Sequence, residues 1–129
     1  AALPRRCVAC QRGIQRPGTH ALGRHICEHC LALIANTPKI RCAQCGLTLG
    51  PRLQAFGWTH CRHCRAVIER QPNAPRHDCV VCCDYVAPFD QWITQLKYGK
   101  AHGLARFLGL WLGMEAKLAA TALPDLLIP

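Results

Sequence analysis

Cys27-Glu-His-Cys30-Leu-Ala-Leu-Ile-Ala-Asn-Thr-Pro38 returns 34 residues later as Cys61-Arg-His-Cys64-Arg-Ala-Val-Ile-Glu-Arg-Gln-Pro72. Each copy is a C-x2-C knuckle followed by seven residues that suit a helix. Each closes on a proline eight positions after its second cysteine, where a helix should stop. A further knuckle precedes each copy: Cys7-Val-Ala-Cys10 before the first and Cys42-Ala-Gln-Cys45 before the second, 35 residues apart. The chain therefore contains an internal repeat with four knuckles in register. The gaps within the two units are 16 and 15 residues, in the range of zinc ribbons.

Two cysteines three apart place both sulfurs on one ion, about 2.3 Å from zinc, and a second knuckle completes the tetrahedron. The expected ligands are Cys7, Cys10, Cys27 and Cys30 for one zinc ion, and Cys42, Cys45, Cys61 and Cys64 for the other. Four thiolates leave no position for water or substrate, so both ions are expected to be structural. Cys30 and Cys64 fall near helix N-termini, where the backbone dipole favours a thiolate. Three alternatives use the same residues. A rubredoxin-like iron site needs the same four sulfurs, and Cys42-Ala-Gln-Cys45-Gly46 has that form. His25, His29, His60 and His63 flank the knuckles and are substitute ligands or outer partners. A cross-brace joining Cys7/Cys10 to Cys42/Cys45 is also compatible with the spacing.

Composition favours metal over disulfides. Eleven cysteines cannot all pair. The N-terminal residues lack the apolar run of a secretory signal, which points to a reducing cytoplasm. Residues 1–77 contain only Phe56 and Trp58 as aromatics, too few for a sizeable core without a staple. No stretch approaches the ~20 apolar residues of a membrane span. The net charge of +9 comes from residues 1–65, with ten Lys/Arg against Glu28 alone. Each four-thiolate zinc is a net dianion, so two sites would leave about +5. Single-stranded DNA is therefore a candidate partner, with Phe56 and Trp58 as a stacking platform and Arg52 and Arg62 as phosphate contacts, the alternative being that Trp58 packs against the short helix of its own ribbon. A solvated face that offsets the metal centres accounts for the same charge.

The pattern changes after the linker 71–77. Asp78-Cys-Val-Val-Cys-Cys-Asp-Tyr85 is short and apolar, and a strand is expected there. A strand puts Cys79 and Cys82 on opposite faces, which argues against a fifth knuckle. Asp90 is expected to cap a helix carrying Trp92, Ile93 and Leu96 and ending at Gly99. A second helix is expected over 101–121, with Leu104, Phe107, Trp111, Met114 and Leu118 as its core stripe. Pro124 should break it, and Leu126-Leu-Ile128 reads as the start of a buried strand.

The four knuckles stand ahead of Cys83-Asp-Tyr85, Ile93-Thr-Gln-Leu-Lys-Tyr-Gly99, Leu104-Ala-Arg-Phe-Leu-Gly109 and Pro124-Asp-Leu-Leu-Ile-Pro129. In this order they resemble the ComF/GntX family of competence-associated proteins. The resemblance implies a small metal-stabilised double zinc ribbon followed by an incomplete α/β, phosphoribosyltransferase-like portion. The implied domains are 1–72, with units 7–38 and 42–72, and 78–129. The family pattern continues beyond Pro129 with the loops that hold phosphoribosyl pyrophosphate. No Asp-Asp followed by a Thr/Gly-rich loop occurs here, so no catalysis is expected from these residues. The resemblance implies a cytoplasmic role in DNA uptake, with DNA or another protein of the uptake machinery as partner. A strand cut short after Ile128 would expose an edge and favour self-association. A stand-alone zinc-ribbon nucleic-acid binder and an iron redox protein are the competing functions.

Overall fold

The computed structural model describes residues 5–15, 18–119, 125, 126 and 128. Five α-helices are formed: α1 Glu28–Ala35, α2 Pro51–Ala55, α3 Arg62–Arg70, α4 Phe89–Tyr98 and α5 His102–Ala119. A 3-10 turn covers Leu22–Arg24. Among the described residues, pairing between extended segments is limited to two isolated antiparallel bridges, Arg6 with Gly13 and Arg41 with Thr48.

These bridges are 35 residues apart, and the backbone repeats around them. The amide of Cys7 donates to Arg12 O, and that of Cys42 to Leu47 O, both at 2.8 Å. Gln11 N reaches Cys7 O at 2.9 Å, and Gly46 N reaches Cys42 O at the same distance. Gln11 and Gly46 both have positive φ, 62° and 74°. Val8 N donates to His25 O and Ala43 N to Thr59 O, each at 3.0 Å, tying the first knuckle of a unit to the approach of its second. The repeat in sequence is thus a repeat in hydrogen bonding.

Helices α1 and α3 follow the second knuckles as the proline spacing predicts. Thr37 Oγ1 donates to Ile34 O at 2.8 Å at the end of α1, and Pro38 follows. Helix α2 lies inside the second unit, between its two knuckles. Pro51 occupies its first turn, where a missing N–H costs nothing.

The chain packs as two compact units that do not run in chain order. One comprises residues 1–37 and 82–129, the other residues 38–81. In the first unit, Leu22, Ile26 and Ile34 of the ribbon share one core with Phe89, Trp92, Leu104, Phe107 and Trp111. The aromatic rings interlock: Phe89 and Trp92 meet edge-on at 5.1 Å, and Trp92 and Phe107 at 6.0 Å. Trp111 satisfies its indole N–H on Glu115 Oε1 at 3.1 Å, one turn along α5. Gly103 lets the first turn of α5 close on the knuckle, since a Cβ there would stand 3.2 Å from Val8 Cγ1. In the second unit the buried hydrophobic cluster is Cys42, Leu49, Cys61 and Cys64, with Leu53 packed beside it.

Several expectations are corrected. Residues 78–85 form no strand. Cys79 N instead makes one bond, to Ala43 O at 2.8 Å, and Val81 packs on Gly46, so the segment is anchored without a ladder. Among the described residues the fold is mostly helical, and no α/β layer is formed. Asp90 lies inside α4, whose N-cap is Pro88, and its carboxylate accepts from Gln91 N at 2.8 Å. Leu104, Phe107 and Trp111 are buried and Met114 is partly so, but Leu118 is 83% exposed. The helix end near 121, the break at Pro124 and part of the strand at 126–128 lie outside the described residues.

Candidate metal centres

Each cluster is built the same way. The first knuckle is a tight turn held by the bonds from Cys7 N and Gln11 N, or from Cys42 N and Gly46 N. The second knuckle opens a helix. Cys27 and Cys61 are the N-caps of α1 and α3, both in extended conformation. Cys30 and Cys64 sit in the first helical turn, so their sulfurs turn back toward the first knuckle. Cys61 Sγ accepts from Cys64 N, and Cys7 Sγ from Cys10 N, both at 3.5 Å.

The eight expected ligands fall into two groups, Cys7/Cys10/Cys27/Cys30 and Cys42/Cys45/Cys61/Cys64, with the sulfurs of each group all within 4.8 Å of one another. Cys7 and Cys30 sulfurs are 3.7 Å apart, Cys10 and Cys27 3.6 Å, and Cys45 and Cys61 3.8 Å. A disulfide needs about 2.05 Å. A tetrahedron with 2.3 Å metal–sulfur bonds has edges of about 3.8 Å. The spacing therefore suits four ligands around one ion and not paired cystines. The grouping is consecutive, each unit closing its own site, and not a cross-brace. His25, His29, His60 and His63 belong to neither group.

Ionisation inside each cluster is uneven. Burial works against a thiolate at Cys42, but the amides of Cys45, Cys61 and Gln44 outweigh it, and its pKa falls to about 6. Burial likewise opposes ionisation of Cys7, and amides of Cys10, Cys27 and Ala9 bring it down to about 7. Cys64 is pushed up to about 12 by burial and by the sulfurs of Cys61, Cys45 and Cys42. Burial and the neighbouring sulfurs raise Cys30 in the same way. One sulfur per cluster is thus prepared as an anion, and Cys30 and Cys64 ionise only against its repulsion. A divalent cation removes that repulsion, so the donor set fits a metal dication.

Burial separates the two clusters. Cys7 and Cys30 are buried, with Cys10 and Cys27 half-buried; in the second, Cys42, Cys61 and Cys64 are buried but Cys45 is exposed. Cys79, Cys82 and Cys83 join no metal-ligating group among the described residues. Cys82 and Cys83 pack on the edge of the first core.

The candidate nucleic-acid residues divide. Phe56 is 73% exposed, its ring 6.1 Å from that of Trp58. Trp58 is half-buried, and the Arg65 guanidinium lies 3.8 Å over its ring. Arg65 belongs to α3, so one face of Trp58 is already covered by the helix of its own ribbon. Arg62 lines the same shallow surface as Trp58, whereas Arg52 is exposed on α2. No helix among the described residues is long and apolar enough to cross a membrane.

Comparison with protein-family profiles, characterised proteins and solved structures finds no match for this chain.

Proposed function

We propose that the chain is a non-catalytic binding module held by two structural zinc ions, one in each ribbon. The observation that carries this is the pair of four-sulfur clusters, each with its sulfurs within 4.8 Å of one another and with three measured edges of 3.6–3.8 Å, so that four protein ligands are at hand for each ion. Such a site has no open coordination position and so supplies shape, not chemistry. Zinc is favoured over iron by the repeated ribbon spacing and by the basic half of the chain. A cytoplasmic setting follows from eight thiols kept for metal. The resemblance to ComF/GntX proteins extends the reading: the chain would be the front half of a phosphoribosyltransferase-like protein that serves DNA uptake. Metal analysis of protein purified without chelator should give two zinc equivalents per chain. One equivalent, or iron as the main metal, would overturn the assignment. The family reading is checked on the sequence encoded after Pro129, which should carry an acidic, hydroxyl-rich phosphate loop.

A second reading, direct contact with single-stranded nucleic acid, is favoured by the exposure of Phe56 beside Trp58. Stacking there would make binding depend on Phe56 at every salt concentration, whereas charge alone would be lost as salt rises. Phe56→Ala, measured by oligonucleotide retention at low and physiological salt, separates the two.

A further inference from the structure

The first unit has a cleft of about 450 Å³ lined by Arg5, Arg6, Val8, Arg24, His25 and Arg106. Four arginines line one small volume, and among the described residues no acidic one does. None of the four arginines is ion-paired among the described residues. Like charges spread apart unless something holds them together, and here three separate segments do so. Arg5 and Arg6 enter the first knuckle, where Ile14 N donates to Arg5 O at 2.7 Å and Arg6 bridges Gly13. Val8 N donates to His25 O at 3.0 Å, which fixes the turn bearing Arg24. Gly103 brings α5 down onto Val8, and Arg106 follows one turn later.

The second unit shows what a ribbon needs for its own sake. By the 35- and 34-residue offsets, Arg5, Arg6, Arg24 and His25 correspond to Ile40, Arg41, Trp58 and Thr59. Only Arg6 keeps its charge in the other copy. There Arg41 is used within its own turn, donating to Pro38 O at 3.2 Å and Gly46 O at 3.1 Å. If the cluster served to offset the dianionic metal centre, the second ribbon would need it equally. It lacks it, and Arg106 comes from a helix outside the repeat.

We propose that this cleft binds a compact oligophosphate, a ligand with two or more linked phosphate groups. The guanidinium fork matches phosphate oxygens two at a time. Linked phosphates supply the charge density that four cations around one cavity require. Among the described lining residues Val8 is the only apolar one and none is aromatic apart from His25, so they offer no platform for stacking successive bases, which a strand reader uses. With no carboxylate to hold a cation, the ligand enters without Mg2+. This inference does not rest on the identity of the metal.

Inorganic pyrophosphate is the probe, titrated calorimetrically into the full, metal-loaded chain with and without Mg2+. One saturable equivalent is expected, at least tenfold tighter than orthophosphate and no tighter with Mg2+. Arg24→Ala and Arg106→Ala, both at exposed positions, should each weaken it about tenfold, the scale of one lost charged hydrogen bond. Arg70→Ala, exposed at the end of α3 and outside the cleft, should change nothing. Equal weakening by Arg70→Ala, or no saturation, would show diffuse charge and overturn the site. Tighter binding of short oligothymidylate that also fails in Arg106→Ala would overturn the compact ligand in favour of a strand. Metal content is measured on the same samples, so a shortfall from two zinc ions counts against the metal reading and leaves the anion result standing.

Discussion

At the scale of single residues, the two copies of the knuckle serve as each other's control. Gln11 and Gly46 hold the same left-handed position, and the first copy tolerates a side chain there. Left-handed backbone costs a non-glycine residue about 1 kcal/mol. Gly46 carries a second constraint that Gln11 lacks: Val81 Cγ2 stands where a Cβ would go, and Cys79 Sγ lies 3.3 Å from that point. Gly46→Ala should therefore destabilise the second unit by about 2–3 kcal/mol, the backbone cost plus that of overpacking. Val81→Ala in the same chain should recover the overpacking share. Amide exchange across residues 38–81 reads both variants, and no recovery in the double variant would show that Val81 is not the cause. The ligands at this scale were legible because a C-x2-C turn leaves little geometric freedom. The stacking of Arg65 on Trp58 was not, because nothing in their seven-residue separation fixes which face of the indole the helix covers.

At the scale of elements, legibility followed periodicity. Helices α1, α3, α4 and α5 were readable from apolar spacing and from Pro38, Pro72 and Gly99 as stops. The apolar run 78–85 failed as a strand for lack of a partner. A strand is stabilised by its neighbours, and the bond from Cys79 N to Ala43 O is not continued into a ladder. The same residues found another use, with Val81 on Gly46 and Cys82 and Cys83 against the first core. Leu118 fits the stripe of α5 by angle but lies one turn past Met114, the last stripe residue packed on the core. Helix angle tells which face a residue shares and not how far along the helix its partners reach. Helix α2 was missed because five residues cannot show a period, although Pro51 after Gly50 marks its start.

At the scale of the whole chain, the aromatic-poor half was expected to depend uniformly on metal, and the structure divides that dependence. The first ribbon buries Leu22, Ile26 and Ile34 against Phe89, Trp92, Leu104, Phe107 and Trp111. Sequence spacing could not show this, since the partners begin more than fifty residues after the ribbon closes. Full burial of each large apolar side chain is worth about 1.5–3 kcal/mol, so the five partner residues alone contribute on the order of 10 kcal/mol before entropy. The second unit has no such reserve. Three of the four buried side chains in its hydrophobic cluster are candidate metal ligands, and Leu49 is the other. A structural zinc there, as proposed, would contribute about 10 kcal/mol or more of apparent free energy and be the main staple of the unit. Its fourth ligand, Cys45, is also exposed, which gives a competing chelator a way in. A chelator at neutral pH should therefore act in two stages. The first metal equivalent to leave comes from Cys42/Cys45/Cys61/Cys64, and amide signals of 38–81 collapse with it. Signals of α4 and α5 persist, and the early fluorescence change belongs to Trp58, so Trp58→Phe abolishes it. Cys27→Ser gives the converse: one zinc remains, the second unit keeps its signals, and α4 and α5 stay folded around Trp92, Phe107 and Trp111. Loss of both ribbons in one transition, or earlier loss of α5 than of α3, would show that the two units are not separately stabilised and that the core around Trp111 needs its metal as much as the second ribbon does.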